Sequence, residues 1–396
     1  MKRVLPRHKI TYAILRFLSF IYTRWILGFR CKDRYKIKKG ESIIVLSNHQ
    51  TDSDPLCIFP SFKGRLYPVA TDTIYYGKFK GKLFNWWSAA ITKKKGAVDK
   101  ECILSMLKTV KEGGSLILFP EGNRTYAEFQ FYITPNFAKL IRRLSCTIVL
   151  YNINGGTGVR PRFSKARRRG KFYGKIRRVI KKDEYDKMTD DELFKVIKES
   201  LKVFDSDSGL LYKSKTRAEY LERMFFVCPK CESVASLNSH GSTLSCEKCD
   251  FTLEYNENLT ISTSDTNIKF SKLLDYWNWQ KRFVKKIDVT CNDIIFSDKV
   301  KLLKCEKFKN NIKLYEGLAS LCSNSFIFGD IKFNIKDIEI ASVVSGTKLT
   351  MTITGVDYLV LGDERFNPLK YVLLFNKLDT YMKLNRVDDY FTLEEN

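Results

Sequence analysis

The sequence is short of histidine, of acid and of long uninterrupted apolar runs. Its 396 residues include three histidines, His8, His49 and His240, so a catalytic imidazole has few places to stand. Asp and Glu number 44 against 69 Lys and Arg, a net charge of +25. That deficit biases the partners toward polyanions: nucleic acid, anionic lipid headgroups or phosphorylated substrates. The longest apolar stretch, residues 10–28, is broken by Arg16 and Arg24. Arginine deep in hydrocarbon is costly, so an interfacial helix is expected there in place of a spanning one. The same stretch lacks a small-residue cleavage site, and no secretory signal is expected. Internal repeats and low-complexity tracts are absent. The eleven cysteines form an odd set without framework spacing, which argues against a disulfide scaffold and for a reducing compartment.

What is present is a globular composition, 44% hydrophobic and 29% charged, in a chain long enough for two or three domains. Residues 10–28 read as a helix in the membrane interface, with Tyr, Trp and Phe at headgroup depth and the arginines snorkelling. A helix packed on a catalytic domain is the alternative. From Arg160 to Lys182 twelve Lys and Arg stand without an acid, and Lys2, Arg3, Arg7, Arg24, Arg30, Lys32 and Arg34 crowd the first 39 residues. Beside an apolar N-terminal stretch this density predicts anchoring to an anionic membrane surface, with nucleic-acid binding as the rival.

Residues 42–46 form a buried strand entering a loop, and Asp54-Pro55 supplies a helix start with Asp54 as N-cap. Strands follow at 67–70, 115–119, 147–151 and 171–176, and helices at 99–111 and 189–204. This alternation predicts an α/β domain with a mixed sheet flanked by helices. Beyond a helix at 270–285 come short strands at 325–328, 331–334, 337–343, 348–353 and 357–361, then a helix from Pro368. The expected organisation is an interface helix at 1–30, the α/β domain at 31–205 and a linker helix at 206–225. A zinc ribbon at 226–256, a helical linker at 257–287 and a β-rich domain at 288–396 complete it. The order of the last is similar to that of pleckstrin-homology or GRAM-type modules.

His49 opens the pattern H-x-x-x-x-D with Asp54, directly after a buried strand, where α/β folds place their sites. Taking a proton from a bound hydroxyl at neutral pH needs a base, and an imidazole oriented by a carboxylate meets that need. Asp54 is the candidate orienter and Asp52 the competitor. Phe119-Pro120-Glu121-Gly122-Asn123-Arg124-Thr125 follows the next clear buried strand. Gly122 lets backbone amides approach a ligand, Arg124 offers a planar fork for a phosphate, and Glu121 is placed to orient either.

Together these residues resemble the glycerolipid acyltransferase family, and within it the 1-acylglycerol-3-phosphate acyltransferases. Asn48 to Asp54 matches the family's N-H-x-x-x-x-D block, and Phe119 to Thr125 its F-P-E-G-x-R-S block with Thr in place of Ser. The second block's arginine is replaced by Lys93, Lys94 or Lys95, and the fourth block, at 148–153, lacks its proline. The resemblance covers about residues 10–205. It implies direct acyl transfer from acyl-CoA or acyl carrier protein to a lysophospholipid, with His49 as base, Asp54 holding it, and Glu121, Gly122, Arg124 and the lysines ordering the acceptor phosphate. The acceptor it implies most simply is 1-acylglycerol 3-phosphate, at the cytoplasmic face of a membrane.

Cys228-Pro229-Lys230-Cys231 and Cys246-Glu247-Lys248-Cys249 are two C-x-x-C knuckles at zinc-ribbon separation. Four thiolates predict a closed, structural Zn²⁺ site, with 225–227 and 251–253 as ribbon strands and His240 outside it. Two further functions stay open: acylation of another lipid hydroxyl, and a zinc-ribbon adaptor for nucleic acid or protein.

Overall fold

The structure is a computed structural model that describes residues 2–71, 88–93, 99–289, 293–306, 309–344 and 346–382. Its internal packing divides the chain into two compact units. One is formed by 1–159 with 170–208, the other by 160–169 with 209–396.

In the first unit the apolar run Ile43-Ile44-Val45-Leu46 is wholly buried, as a strand covered on both faces must be. The strands are β1 (Phe29–Cys31), β2 (Tyr35–Lys36), β3 (Ile43–Ser47), β4 (Phe62–Lys63), β5 (Leu66–Thr71), β6 (Ile91–Lys93), β7 (Ser115–Leu118), β8 (Thr147–Asn154) and β9 (Phe172–Ile180). Seven of them order as β1-β9-β8-β3-β7-β5-β6, while β2 and β4 pair separately. β3 lies parallel to both β7 and β8, with Ile44 opposite Leu116 and Ile148. β5 is parallel to β7 and β6, and only β8–β9 is antiparallel, so the sheet is mixed. The carboxyl ends of β3, β7, β5 and β6 therefore share one edge.

The helices are α1 (His8–Ile21), α2 (Asp54–Ile58), α3 (Lys100–Lys111), α4 (Asn136–Leu144), α5 (Gly156–Val159), α6 (Lys182–Tyr185) and α7 (Asp190–Leu201). Asp99 caps α3 by accepting the amide of Cys102 at 3.0 Å, and Gly113, at φ +77°, ends it. Thr189 and Glu192 form a capping box on α7. The expected N-cap role of Asp54 is not what the chain does. Ser53 holds the N-cap position of α2, and the Asp54 side chain turns back into the preceding loop.

α1 carries its polarity inside out for a helix in water. It buries His8, Thr11, Tyr12 and Ser19 and exposes Ile10, Ile14, Phe17, Leu18, Phe20 and Ile21, with Trp25 and Ile26 exposed in the π-helical turn that follows. Among the described residues no helix is long and apolar enough to cross a membrane.

The second unit begins with a four-stranded antiparallel sheet, β10 (Leu237–His240), β11 (Thr243–Cys246), β12 (Thr252–Tyr255) and β13 (Ile261–Thr263). Phe225 to Val227, expected as a ribbon strand, contributes a single bridge, Val227 to Val234. α8 (Leu273–Lys286) packs here: the Tyr276 ring stacks on Phe225 at 4.0 Å, and the Gln280 amide both accepts from Phe226 N and donates to Met224 O. No α-helix occupies 206–225, where a linker helix was expected. The described chain has only 3₁₀ turns at Asp205–Ser208 and Leu221–Arg223, and residues 257–272 are likewise non-helical ahead of α8. In that first stretch the Ser208 hydroxyl bonds Asp205 O and the Ser214 hydroxyl accepts Thr216 N at 3.1 Å, competing with helical bonds, while Gly209 stands at φ +66°, outside the helical region.

The remaining strands are β14 (Ile294–Cys305), β15 (Ile312–Cys322), β16 (Ser325–Phe328), β17 (Ile331–Asn334), β18 (Ile338–Val344), β19 (Lys348–Ile353) and β20 (Val356–Leu361). They form one antiparallel sheet in the order β17-β16-β15-β14-β20-β19-β18. α9 (Pro368–Tyr381) buries Leu369, Val372, Leu373 and Leu374, and its Tyr371 stacks on Phe326 at 5.2 Å. The basic run is divided. Its first ten residues belong to this second unit, where Arg162 donates to Val343 O at 2.9 Å and Phe163 O accepts from Arg223 at 2.8 Å.

Candidate active site

β3 and β7 are adjacent and parallel, so the loops leaving their carboxyl ends come together, and these are the loops the sequence singles out. Asn48 fixes the first loop to the sheet: its amide donates to Ile153 O and accepts Ile153 N, both at 2.9 Å. His49 follows. Its Nδ1 lies 2.8 Å from Asp54 Oδ2. The same carboxylate accepts Gln50 N at 2.6 Å, Thr51 N at 2.9 Å and Thr51 Oγ1 at 2.5 Å. With three other donors already on it, this fully buried group is an acceptor, so Nδ1 carries the hydrogen and Nε2 is the unprotonated, basic nitrogen. Asp52, the competitor, is exposed and accepts from Ser53 Oγ at 3.2 Å.

The second loop locks onto the first through Thr125 N, which donates to His49 O at 2.9 Å. The Phe119 ring stacks on the His49 imidazole at 4.2 Å. Gly122 sits at φ +66°, its amide bonded to Phe119 O and open space where a Cβ would stand. Exposed and left-handed, it leaves open space beside the backbone at this turn. Arg124 is half-buried two residues on. Glu121 is buried and pushed up to about 8, first by burial and also by the charge of Asp54; amide bonds from Phe131 and His49 pull the other way. A buried carboxyl held at that value is mainly protonated at neutral pH.

His49, Glu121, Thr125, Glu128, Phe129 and Phe204 line a small open cleft. Lys93 ends β6 on the same carboxyl edge of the sheet and is exposed, while Lys94 and Lys95 lie outside the described residues. Sequence reasoning missed Gln50, Thr157 and Asp205, which are buried, and half-buried Glu128, which joins them in a polar network beside the loop. Gln50 and Asp205 meet across 155 residues of chain, a separation with no local signal.

In the second unit Cys228, Cys231, Cys246 and Cys249 converge, their Sγ atoms all within 4.8 Å of one another. Cys228 and Cys249 stand 3.6 Å apart, Cys231 and Cys246 3.7 Å. A tetrahedral ion with Zn–S bonds of about 2.3 Å needs edges of about 3.8 Å, so the four thiols fit one metal ion. No disulfide joins these cysteines, and His240 is exposed at the end of β10, outside the group.

The family model described as Acyltransferase matches residues 28–153, a segment that contains both of these loops. A comparison with curated proteins returned no match. Among solved structures the chain is similar to the 1-acyl-sn-glycerophosphate (LPA) acyltransferase, PlsC, from Thermotoga maritima, at 17% identity and a TM-score of 0.41, over 49% of this chain and 78% of that one. Residues 28–153 are an Acyltransferase-family domain, and the chain that carries them is an acyltransferase enzyme.

Proposed function

We propose that this acyltransferase moves a fatty acyl group from acyl-CoA or acyl carrier protein to a lysophospholipid, most simply 1-acylglycerol 3-phosphate, forming phosphatidic acid. The observation that carries the reading is the His49–Asp54 pair, an imidazole whose Nδ1 is fixed on a fully buried carboxylate. Nε2 takes the proton of the acceptor hydroxyl as its oxygen attacks the thioester carbonyl. The tetrahedral intermediate then collapses with loss of the C–S bond, and the leaving thiolate recovers that proton from Nε2. Asp54 stabilises the imidazolium that forms between the two steps.

Glu121, Gly122 and Arg124 order the acceptor phosphate, joined by the lysines at 93–95 as point charges without a fork. A protonated Glu121 suits this work, because it donates a hydrogen bond and adds no negative charge beside a phosphate. Lysine in place of the family's arginine leaves a second acceptor class open, another lipid hydroxyl near an anionic group.

The inside-out polarity of α1 supports a peripheral enzyme at an anionic membrane, which we place at its cytoplasmic face. Exposed Phe17, Trp25 and Ile26 would enter the interface beside the N-terminal bases. The Cys228, Cys231, Cys246 and Cys249 group is read as a structural zinc ribbon, since four thiolates leave no open ligand position. Seven antiparallel strands closed by a C-terminal helix support the pleckstrin-homology or GRAM-type reading of 288–396.

The test is a panel of lysolipid acceptors offered to the full chain with each acyl donor. Phosphatidic acid formed in preference to other products is the expected result. Turnover confined to other lysolipids would remove the acceptor assignment, and turnover of none would remove the reading.

A further inference from the structure

The acid groups behind the base loop contain a mismatch in hydrogen count. Asp205 is buried, and every contact it makes is with a donor. Its Oδ1 accepts Gly155 N at 2.7 Å, and its Oδ2 accepts Thr157 N at 3.2 Å, Gln50 Nε2 at 3.1 Å and the Thr157 hydroxyl. The other end of the Gln50 amide accepts Gly156 N at 2.9 Å. Gln50 is thus held at both ends, one residue from His49.

The Thr157 hydroxyl also lies 3.1 Å from Glu128 Oε1. One hydroxyl hydrogen cannot serve two carboxylates. With that hydrogen on Asp205, the Glu128 contact is filled only if Glu128 is protonated and donates to Thr157 Oγ1. Ser206 N meets both Glu128 oxygens, at 3.0 and 3.2 Å, so Oε2 can accept it while Oε1 donates. Glu128 is held for this contact in a left-handed backbone conformation, φ +63°, which a non-glycine residue adopts at a cost.

We propose that Glu128 and Asp205 share one proton through Thr157, and that this pair is a positioning device that fixes Gln50 and through it the His49 loop. The device needs Glu128 neutral. When it ionises, two carboxylates face one hydroxyl, the 155–157 turn loosens, and the base loses its orientation. Burial and the charge of Asp205 push Glu128 up to about 7, in keeping with this assignment. The other titratable groups on the cleft are His49, backed by Asp54; Glu121; and Lys202, which is paired with Glu199 at 2.8 Å.

The proposal rests on the reading of His49 as the base, and two measurements separate their failures. In acyl transfer, Glu128→Ala is expected to lower kcat about tenfold at every pH with KM little changed. Glu128→Gln, whose amide still donates to Thr157, restores most of that loss and moves the alkaline limb of the kcat profile upward by a pH unit or more. Asp205→Asn places an amide donor against donors and is expected to behave like Glu128→Ala. A Glu128→Gln profile that superimposes on the wild type would overturn the device. The second measurement needs no activity: in carbon-13 glutamate-labelled full-length protein, one carboxyl resonance titrating near neutrality should vanish in Glu128→Gln. If no such resonance exists the proton-sharing pair is wrong, whatever the catalytic result.

Discussion

Asp54 accepts four hydrogen bonds, from His49 Nδ1, Gln50 N, Thr51 N and Thr51 Oγ1, and has no face left for solvent. An asparagine there must turn its NH₂ toward one of those donors. We predict that Asp54→Asn lowers kcat at least a hundredfold, because the imidazole loses its tautomer, and lowers the melting temperature by a few degrees. Glu121 gives the pH dependence of stability at this scale. Its folded value, about 8, lies above the ordinary 4.5, so the neutral form is the one the fold favours. Stabilisation from this group is complete below 4.5 and is lost as the pH climbs toward 8, with a slope up to about 1.4 kcal/mol per pH unit. Denaturant unfolding at a series of pH values should show that decline, and Glu121→Gln should flatten it. A decline of the same slope in the variant would assign it to other groups.

The α1 helix exposes what a soluble helix buries, and its packed face is polar. His8 Nδ1 meets the Tyr67 hydroxyl at 2.8 Å, and the Tyr12 hydroxyl bonds Ser88 O. We predict that Phe17→Ala with Trp25→Ala reduces binding to anionic vesicles at least tenfold in sedimentation assays without unfolding the chain, since neither side chain is in the core. Unchanged binding would take the membrane role from this helix. Elements whose pattern is decided by burial were legible in the sequence. β3 and β7 read as apolar runs because both their faces are covered, and β16 to β20 read by alternation and turns. β14 and β15, the longest strands of their sheet, were not legible. Lys299, Lys301, Lys304 and Lys313 interrupt their runs, while Ile312, Leu314 and Leu318 sit on the exposed side, so neither period nor polarity marks a buried face. Asp54 was misread as a cap because Asp-Pro is a sound local helix signal, and its bonds back to His49, Gln50 and Thr51 in the preceding loop overrode it.

At the scale of the whole molecule the chain does not fold as one unit followed by another. Residues 160–169 leave the first unit after α5, are built into the second, and return to form β9. The second unit supplies the carbonyl of Val343 to Arg162 and that of Arg217 to Arg168, whose side chain is fully buried. We predict that a fragment ending at residue 208 is far less soluble than the full chain, judged by recovery and by size-exclusion profile. Full recovery of a monodisperse fragment would contradict the division. Atomic absorption should find about one zinc per full-length chain, lost in Cys228→Ser with Cys231→Ser. The two loops of the candidate site were readable because each follows its own strand within a short block. The Gln50–Asp205 support was not, since it joins residues that only the folded sheet brings together. The central claim is that His49, held by Asp54, is the base of an acyl-transfer reaction, and its most direct test is acyl transfer to 1-acylglycerol 3-phosphate by the wild type and by His49→Ala. We predict phosphatidic acid from the wild type and a fall of about 10²–10⁴-fold in the variant, with a melting temperature lowered by no more than a few degrees. A variant as active as the wild type would contradict the account.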